Sequence, residues 1–159
     1  MIELLVVITV LAILISLAMP SLLFLKQNSI GLELDKLQIT CQLLQKKAVS
    51  TVQKEYLSFN IQQRSYFYSN HFEKLADGIF FGIIPGVMGP PANPKEIITS
   101  PITFPEQKIT FYPNGTISAG TAYLTNGQNN LLSAITAPVS QVSFIRKYKY
   151  SHGTWLYLK

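Results

Sequence analysis

The sequence is poor in the residues that most chemistry needs. It has one cysteine and two histidines, His71 and His152, in 159 residues. A single thiol forms no internal disulfide, and no Cys/His cluster has the spacing of a structural zinc site. Charge is scarce too: 13% of residues are charged against 48% hydrophobic, which excludes an intrinsically disordered chain. The length fits one ordinary domain and leaves no room for a large multidomain enzyme. No dinucleotide fingerprint, no Gly-Lys-Ser/Thr phosphate loop and no Gly-x-Ser-x-Gly elbow occurs. Glu96 and Glu106 flank a proline-rich stretch with nothing to pair them as acid and base. His71 and His152 read as turn residues beside strands, because a metal site needs three or four donors. Asn114-Gly115-Thr116 matches a glycosylation sequon but is explained by a turn. The reading is of no enzyme, no metal and no cofactor.

Acids are also absent from one part of the chain. None occurs after Glu106, while Lys108, Arg146, Lys147, Lys149 and Lys159 place the whole net charge of +5 there. Arg146-Lys147-Tyr148-Lys149-Tyr150, with His152, Trp155 and Tyr157, mixes basic and aromatic side chains on an expected hairpin. Such a surface can hold a nucleic-acid backbone and stack bases. Equally, lysines guard an exposed strand against aggregation. Alternation puts Lys147 and Lys149 on one face and Phe144, Arg146, Tyr148 and Tyr150 on the other. Arg146, Lys147 and Lys149 are the candidate DNA contacts.

What the chain has in excess is one apolar run. From Leu4 to Leu25 there are 22 residues without charge, and as a helix they span about 33 Å, enough for a bilayer core. A secretory signal peptide fits less well, since its shorter apolar region follows a basic stretch. Glu3 heads the run. An acid there either sits at headgroup level, favoured by the positive end of the helix dipole, or pairs with a positive charge from another chain. The first basic residue, Lys26, follows the run, and charge alone would place the C-terminal region inside the cell.

Met1-Ile2-Glu3-Leu4-Leu5-Val6-Val7-Ile8, followed by the apolar run and Pro20, resembles the start of type IV pilins and pseudopilins. The family's signature glutamate maps onto Glu3. In that family a short basic leader ending in glycine, then a phenylalanine, precedes such a segment. Here Met1 occupies an internal position of the motif, so the leader is expected just upstream of it. Further along, Leu37 to Val49, a strand at Tyr56 to Ile61, and Ile109-Thr110-Phe111-Tyr112-Pro113-Asn114-Gly115-Thr116-Ile117 resemble the minor pilins of Gram-positive competence pili. H-type pseudopilins of type II secretion share that last pattern.

The resemblance implies a non-enzymatic subunit needed for DNA uptake in transformation. It is anchored by a single membrane pass with its C-terminal domain outside the cell, and it reaches the cell surface once assembled. Glu3 would neutralise the terminal amine of a neighbouring subunit, and Pro20 would kink the helix. The implied partners are the major competence pseudopilin and other minor pilins, the prepilin peptidase acting on a full-length precursor, and indirectly the assembly ATPase and a polytopic membrane protein. DNA contact is compatible with this role but is not assigned by it to this chain. A type II secretion pseudopilin, or a single-pass membrane protein with an extracytoplasmic binding domain, are the alternatives.

After the apolar run, Ile30, Leu34, Leu37, Cys41, Leu44, Ala48 and Val52 recur at steps of four and three, a continuous apolar stripe. Glu33, Asp35, Lys36, Gln38, Gln45, Lys46 and Lys47 form the expected solvated face. Asn28, Ser29 and Gly31 have low helix propensity, so a bend or melted turn is expected below the stripe. Cys41 reads as a core thiol, with an intermolecular disulfide as the alternative. From Glu55 the period becomes two. Strands are expected at 56–61, 66–68, 79–84, 109–112, 116–124, 139–150 and 154–158, with a loop from Pro85 to Pro101 and hairpin turns at Asn114-Gly115, Asn126-Gly127 and His152-Gly153. The expected architecture is α+β and pilin-like. A long N-terminal helix, transmembrane over 1–25 and amphipathic over 26–54, packs on the antiparallel sheet of a head over 55–159.

Overall fold

A computed structural model describes residues 2–89, 95–127 and 131–158, except for the side chains of residues 2–6, 11 and 14–29. Helix α1 spans Ile2–Thr51; of the bend or melted turn expected at Asn28, Ser29 and Gly31, the melted turn does not occur, because the backbone stays helical there. Among the described side chains, the part packed on the rest begins at Ile30. Ile30, Leu34, Leu37, Cys41, Leu44 and Ala48 are all buried, because steps of three and four keep them on one side of a helix. Val52 leaves the stripe: it is 74% exposed and has φ of 55°, so it ends the helix.

The expected α+β architecture, a long helix on one antiparallel sheet, is corrected. The body is mostly β: nine described strands form two antiparallel sheets. The helical part packed on them, from Ile30 onwards, is not an apolar segment, since it carries Glu33, Asp35, Lys36, Lys46 and Lys47. Among the described residues no helix is long and apolar enough to cross a membrane. The transmembrane reading of 1–25 falls largely on side chains outside the described residues.

The four-stranded sheet has the order β3-β2-β1-β5, with β1 at Glu55–Asn60, β2 at Ser65–Tyr68, β3 at His71–Lys74 and β5 at Lys108–Phe111. The five-stranded sheet has the order β4-β6-β7-β8-β9. Its strands are Phe80–Phe81, Gly120–Thr125, Leu132–Ala137, Arg146–Ser151 and Thr154–Leu158. Two sheets arise because the hairpin expected around Asn114-Gly115 divides. The turn exists, with Gly115 N–H donating to Tyr112 O at 2.9 Å, but β5 pairs with β1 while β6 pairs with β4 and β7. Buried Ile117 marks the junction, bridging to Phe111 on one side and Val142 on the other. Gly120 opens β6 with φ of 156°, and a Cβ there would lie 2.5 Å from the Phe104 ring and 2.7 Å from its Cα. Only glycine lets the chain pass that close.

Two sheet edges turn on two-residue loops with positive φ at both positions, Ser69-Asn70 between β2 and β3 and His152-Gly153 between β8 and β9. That geometry matches the twist of the flanking strands. The core lies between α1 and the facing sides of both sheets, joining Leu34, Leu37 and Leu44 to Leu57, Ile109, Phe111, Leu124 and Ile135. A second cluster covers the far side of the larger sheet. There Ile83 and Ile84, which were expected in a strand but lie beyond it, and Val87 and Ile98, from the expected proline-rich loop, pack on Tyr123, Leu132, Ala134, Tyr150 and Trp155.

Candidate functional site

The basic tail is the first candidate, and the fold takes it apart. Strand β8 runs between β7 and β9, so its side chains alternate between the helix side of the sheet and the far side. Lys147 lies opposite Ile135 and Leu158 on the helix side. It is only 8% exposed, and its Nζ meets Asp35 Oδ1 of α1 at 2.5 Å. Lys149 is on the same side but exposed, opposite Ser133 and Leu156. Arg146 is on the far side, its guanidinium 4.8 Å from the Phe144 ring centroid. Of the three candidate DNA contacts, one is turned inward and the other two point to opposite sides of the sheet. They do not form one basic face.

Aromatic side chains do converge on the far side. Tyr148 and Tyr157 lie opposite each other with ring centroids 5.6 Å apart, and Tyr150 and Trp155 likewise at 5.2 Å. Trp155 also tilts against Tyr123 at 5.9 Å and donates its indole N–H to Met88 O at 3.0 Å. Burial pushes the Tyr123 hydroxyl up to about 12, and it does the same to Tyr66, with Glu73 adding to the effect. These values keep both phenols neutral at physiological pH and suit packing rather than proton transfer.

The remaining sequence candidates stay apart. His71 opens β3 rather than lying in the turn, and its ring is 5.5 Å from that of Tyr68. His152 is in the β8–β9 turn, as expected. Glu106 sits in a 3-10 turn at Pro105–Gln107, where its exposed carboxylate pairs with Lys108 and is held below the usual carboxylate range. Glu96 lies in the loop over the larger sheet, where Gly89 N–H donates to its carbonyl at 2.8 Å. Cys41 is buried and free, and desolvation pushes its thiol far up. A thiol in that state neither ionises nor reaches a second chain without local opening. Glu3 and Pro20 carry side chains outside the described residues. Among the described residues no group of three or more His, Cys, Asp or Glu side chains could hold a metal.

A further surface was missed. The expected solvated face of α1 is not uniformly solvated: Glu33 is buried and takes a hydrogen bond from Lys36 Nζ at 2.9 Å. Gln45 turns inward and donates to Gly115 O at 2.6 Å and Ser143 O at 2.9 Å. Exposed among Asp35, Lys36, Lys46 and Lys47, which do face water, is a second apolar row, Leu32, Ile39 and Leu43, at 60%, 65% and 57% exposure. At 100° per residue these three cluster within about 40°, opposite the buried stripe. Val7, Ile8, Val10 and Ile13 near the start of the helix are exposed as well. The spacing of seven and four that links Leu32, Ile39 and Leu43 was visible in the sequence. No family model, no curated protein and no solved structure matches this chain.

Proposed function

We propose that this chain is a non-enzymatic minor subunit of a competence pilus, a filament of the type IV pilin class that serves DNA uptake. α1 is its assembly element and the β-rich body is the part presented outside the cell. The observation that carries the reading is the apolar surface left on α1. Val7, Ile8, Val10 and Ile13 near its start, and Leu32, Ile39 and Leu43 on the side away from the sheets, are all exposed.

Exposed apolar area of this kind favours burial at about 25 cal/mol per Å², first against lipid and then against equivalent helices. The acid-headed apolar segment at Glu3 supports the same reading through its resemblance to the pilin start. The two-sheet body does not contribute to it. In this role Glu3 meets the terminal amine of a neighbouring subunit, the membrane holds α1 before assembly, and the major pseudopilin and other minor pilins are its neighbours afterwards.

The test is Glu3→Ala in a transformable host that makes the rest of the apparatus. Incorporation into sheared surface filaments should be lost and transformation frequency should fall at least about tenfold, which corresponds to about 1.4 kcal/mol of assembly free energy, with the cellular level of the chain unchanged. Parental incorporation and parental transformation by Glu3→Ala would overturn the reading.

A further inference from the structure

The two sheets treat their outer strands differently. The four-stranded sheet ends in β3, whose four residues are all exposed and include His71, Glu73 and Lys74. Charges on an edge discourage a further strand from pairing. The five-stranded sheet ends in β9, Thr154–Leu158, with neither charge nor proline. Leu156 and Tyr157 are 51% and 56% exposed on its two faces.

This edge is held in place. Trp155 is fixed by its bond to Met88 O, and Gly89, at φ of 117°, leaves room for the indole: a Cβ there would fall 2.4 Å from Nε1. Behind β9 stands β8 with Arg146, Lys147 and Lys149, and the chain has no acid after Glu106. Asp35 engages Lys147. Lys149 forms no ion pair among the described residues.

We propose that β9 is a docking edge for an extended segment of another protein, added as a sixth strand, with acidic side chains on one face and apolar ones on the other. The backbone N–H and C=O groups of β9 would supply the pairing, as in other strand additions. An acid opposite Leu156 lies two strands from Lys149, about 10 Å between Cα atoms, which the lysine and the carboxylate span together. Apolar residues on the alternate positions meet Tyr157 and Trp155. A second copy of this chain is the poorer occupant. Its β9 carries no acid and is backed by the same lysines, so like charges would face each other. The proposal does not depend on the filament reading, and its failure leaves the Glu3 experiment untouched.

The experiment uses the full chain in neutral detergent micelles and a blocked synthetic peptide, Val-Glu-Val-Glu-Val-Glu-Val. The chain has one tryptophan, so Trp155 emission reports binding at β9 directly. The expected result is saturable binding, slowed hydrogen exchange over residues 154–158, and affinity at least about tenfold lower in 0.5 M salt, as screening requires. A Lys-for-Glu peptide, or one with a central proline, should bind at least about tenfold more weakly, the proline version because it lacks a backbone donor.

Leu156→Glu, which sets a like charge directly opposite the peptide's acid, should weaken binding at least about tenfold with the thermal midpoint unchanged, and Tyr157→Lys, which removes the apolar contact on the other face, provides a second reading if the first variant folds poorly. Absence of binding, or equal binding of the lysine peptide, would overturn the proposal. So would self-association of the chain that Tyr157→Lys removes, since that makes a second copy the occupant.

Discussion

At the scale of single residues, the backbone shows where this sequence departs from its easiest choice. Val52 ends α1 with φ of 55°, a left-handed conformation that glycine or asparagine adopts readily and a β-branched residue does not. Its side chain is mostly exposed, so removing it loses little packing. Val52→Gly is therefore expected to stabilise the chain by about 1 kcal/mol, read as a higher urea midpoint at unchanged slope. A lower midpoint would show that Val52 is in contact with something. Tyr66 and Tyr123, both pushed up to about 12 by burial, make a second residue-scale prediction. An unfolded tyrosine ionises near pH 10, so between pH 10 and 12 the unfolded chain holds fewer protons than the folded one. Stability contributed by the buried neutral phenols is complete below pH 10 and is lost as pH rises towards 12. Tyr123→Phe should flatten that alkaline decline in urea denaturation, and an unchanged slope would contradict the assignment.

At the scale of elements, the sequence is legible where one face of an element is wet. The α1 stripe from Ile30 to Ala48 and the alternation of Leu57 and Phe59 in β1 follow from period alone, because each has water on the other side. Strand β7, Leu132–Ala137, was not expected at all. All six of its residues are buried, since it has α1 on one side and the loop carrying Val87 and Ile98 on the other, so no alternation remains to be read. The pairing partner of β5 was equally hidden: a hairpin turn at Asn114-Gly115 does not say that the chain changes sheets directly afterwards. Lys147 belongs to the same class, because its partner Asp35 is 112 positions away and no local pattern joins them. This tie links α1 to β8, an inner strand of the larger sheet. Asp35→Asn should cost about 1–2 kcal/mol by leaving a nearly buried ammonium without its charge partner. Lys147→Met added to it should recover most of that loss. A double variant no more stable than Asp35→Asn alone would mean that the lysine stem, rather than the charge, is what the site requires.

At the scale of the whole molecule, one helix has two apolar sides, and only one of them is satisfied by the chain's own sheets. The inner side, Leu34, Leu37, Leu44 and Ala48, accounts for folding. The outer row, Leu32, Ile39 and Leu43, does nothing for the isolated chain, because each residue is more than half exposed. The residues that fold the body and those that the proposed filament role would use are thus different sides of α1, and that role can be tested without disturbing the body. Changing all three outer residues to glutamine keeps good helix formers in place and leaves the inner side untouched. The thermal midpoint should stay within about 2 °C of the parent, less than a change of 1 kcal/mol would produce in a domain of this size. Incorporation into surface filaments should nevertheless fall, because a helix seam needs its apolar knobs. The corresponding inner change, Leu37→Ala, should do the reverse in kind, lowering stability by about 2–5 kcal/mol and affecting assembly only through the amount of folded chain. If the outer triple variant entered filaments as readily as the parent, α1 would not be the assembly element, and the reading built on its exposed row would fall whatever Glu3 does.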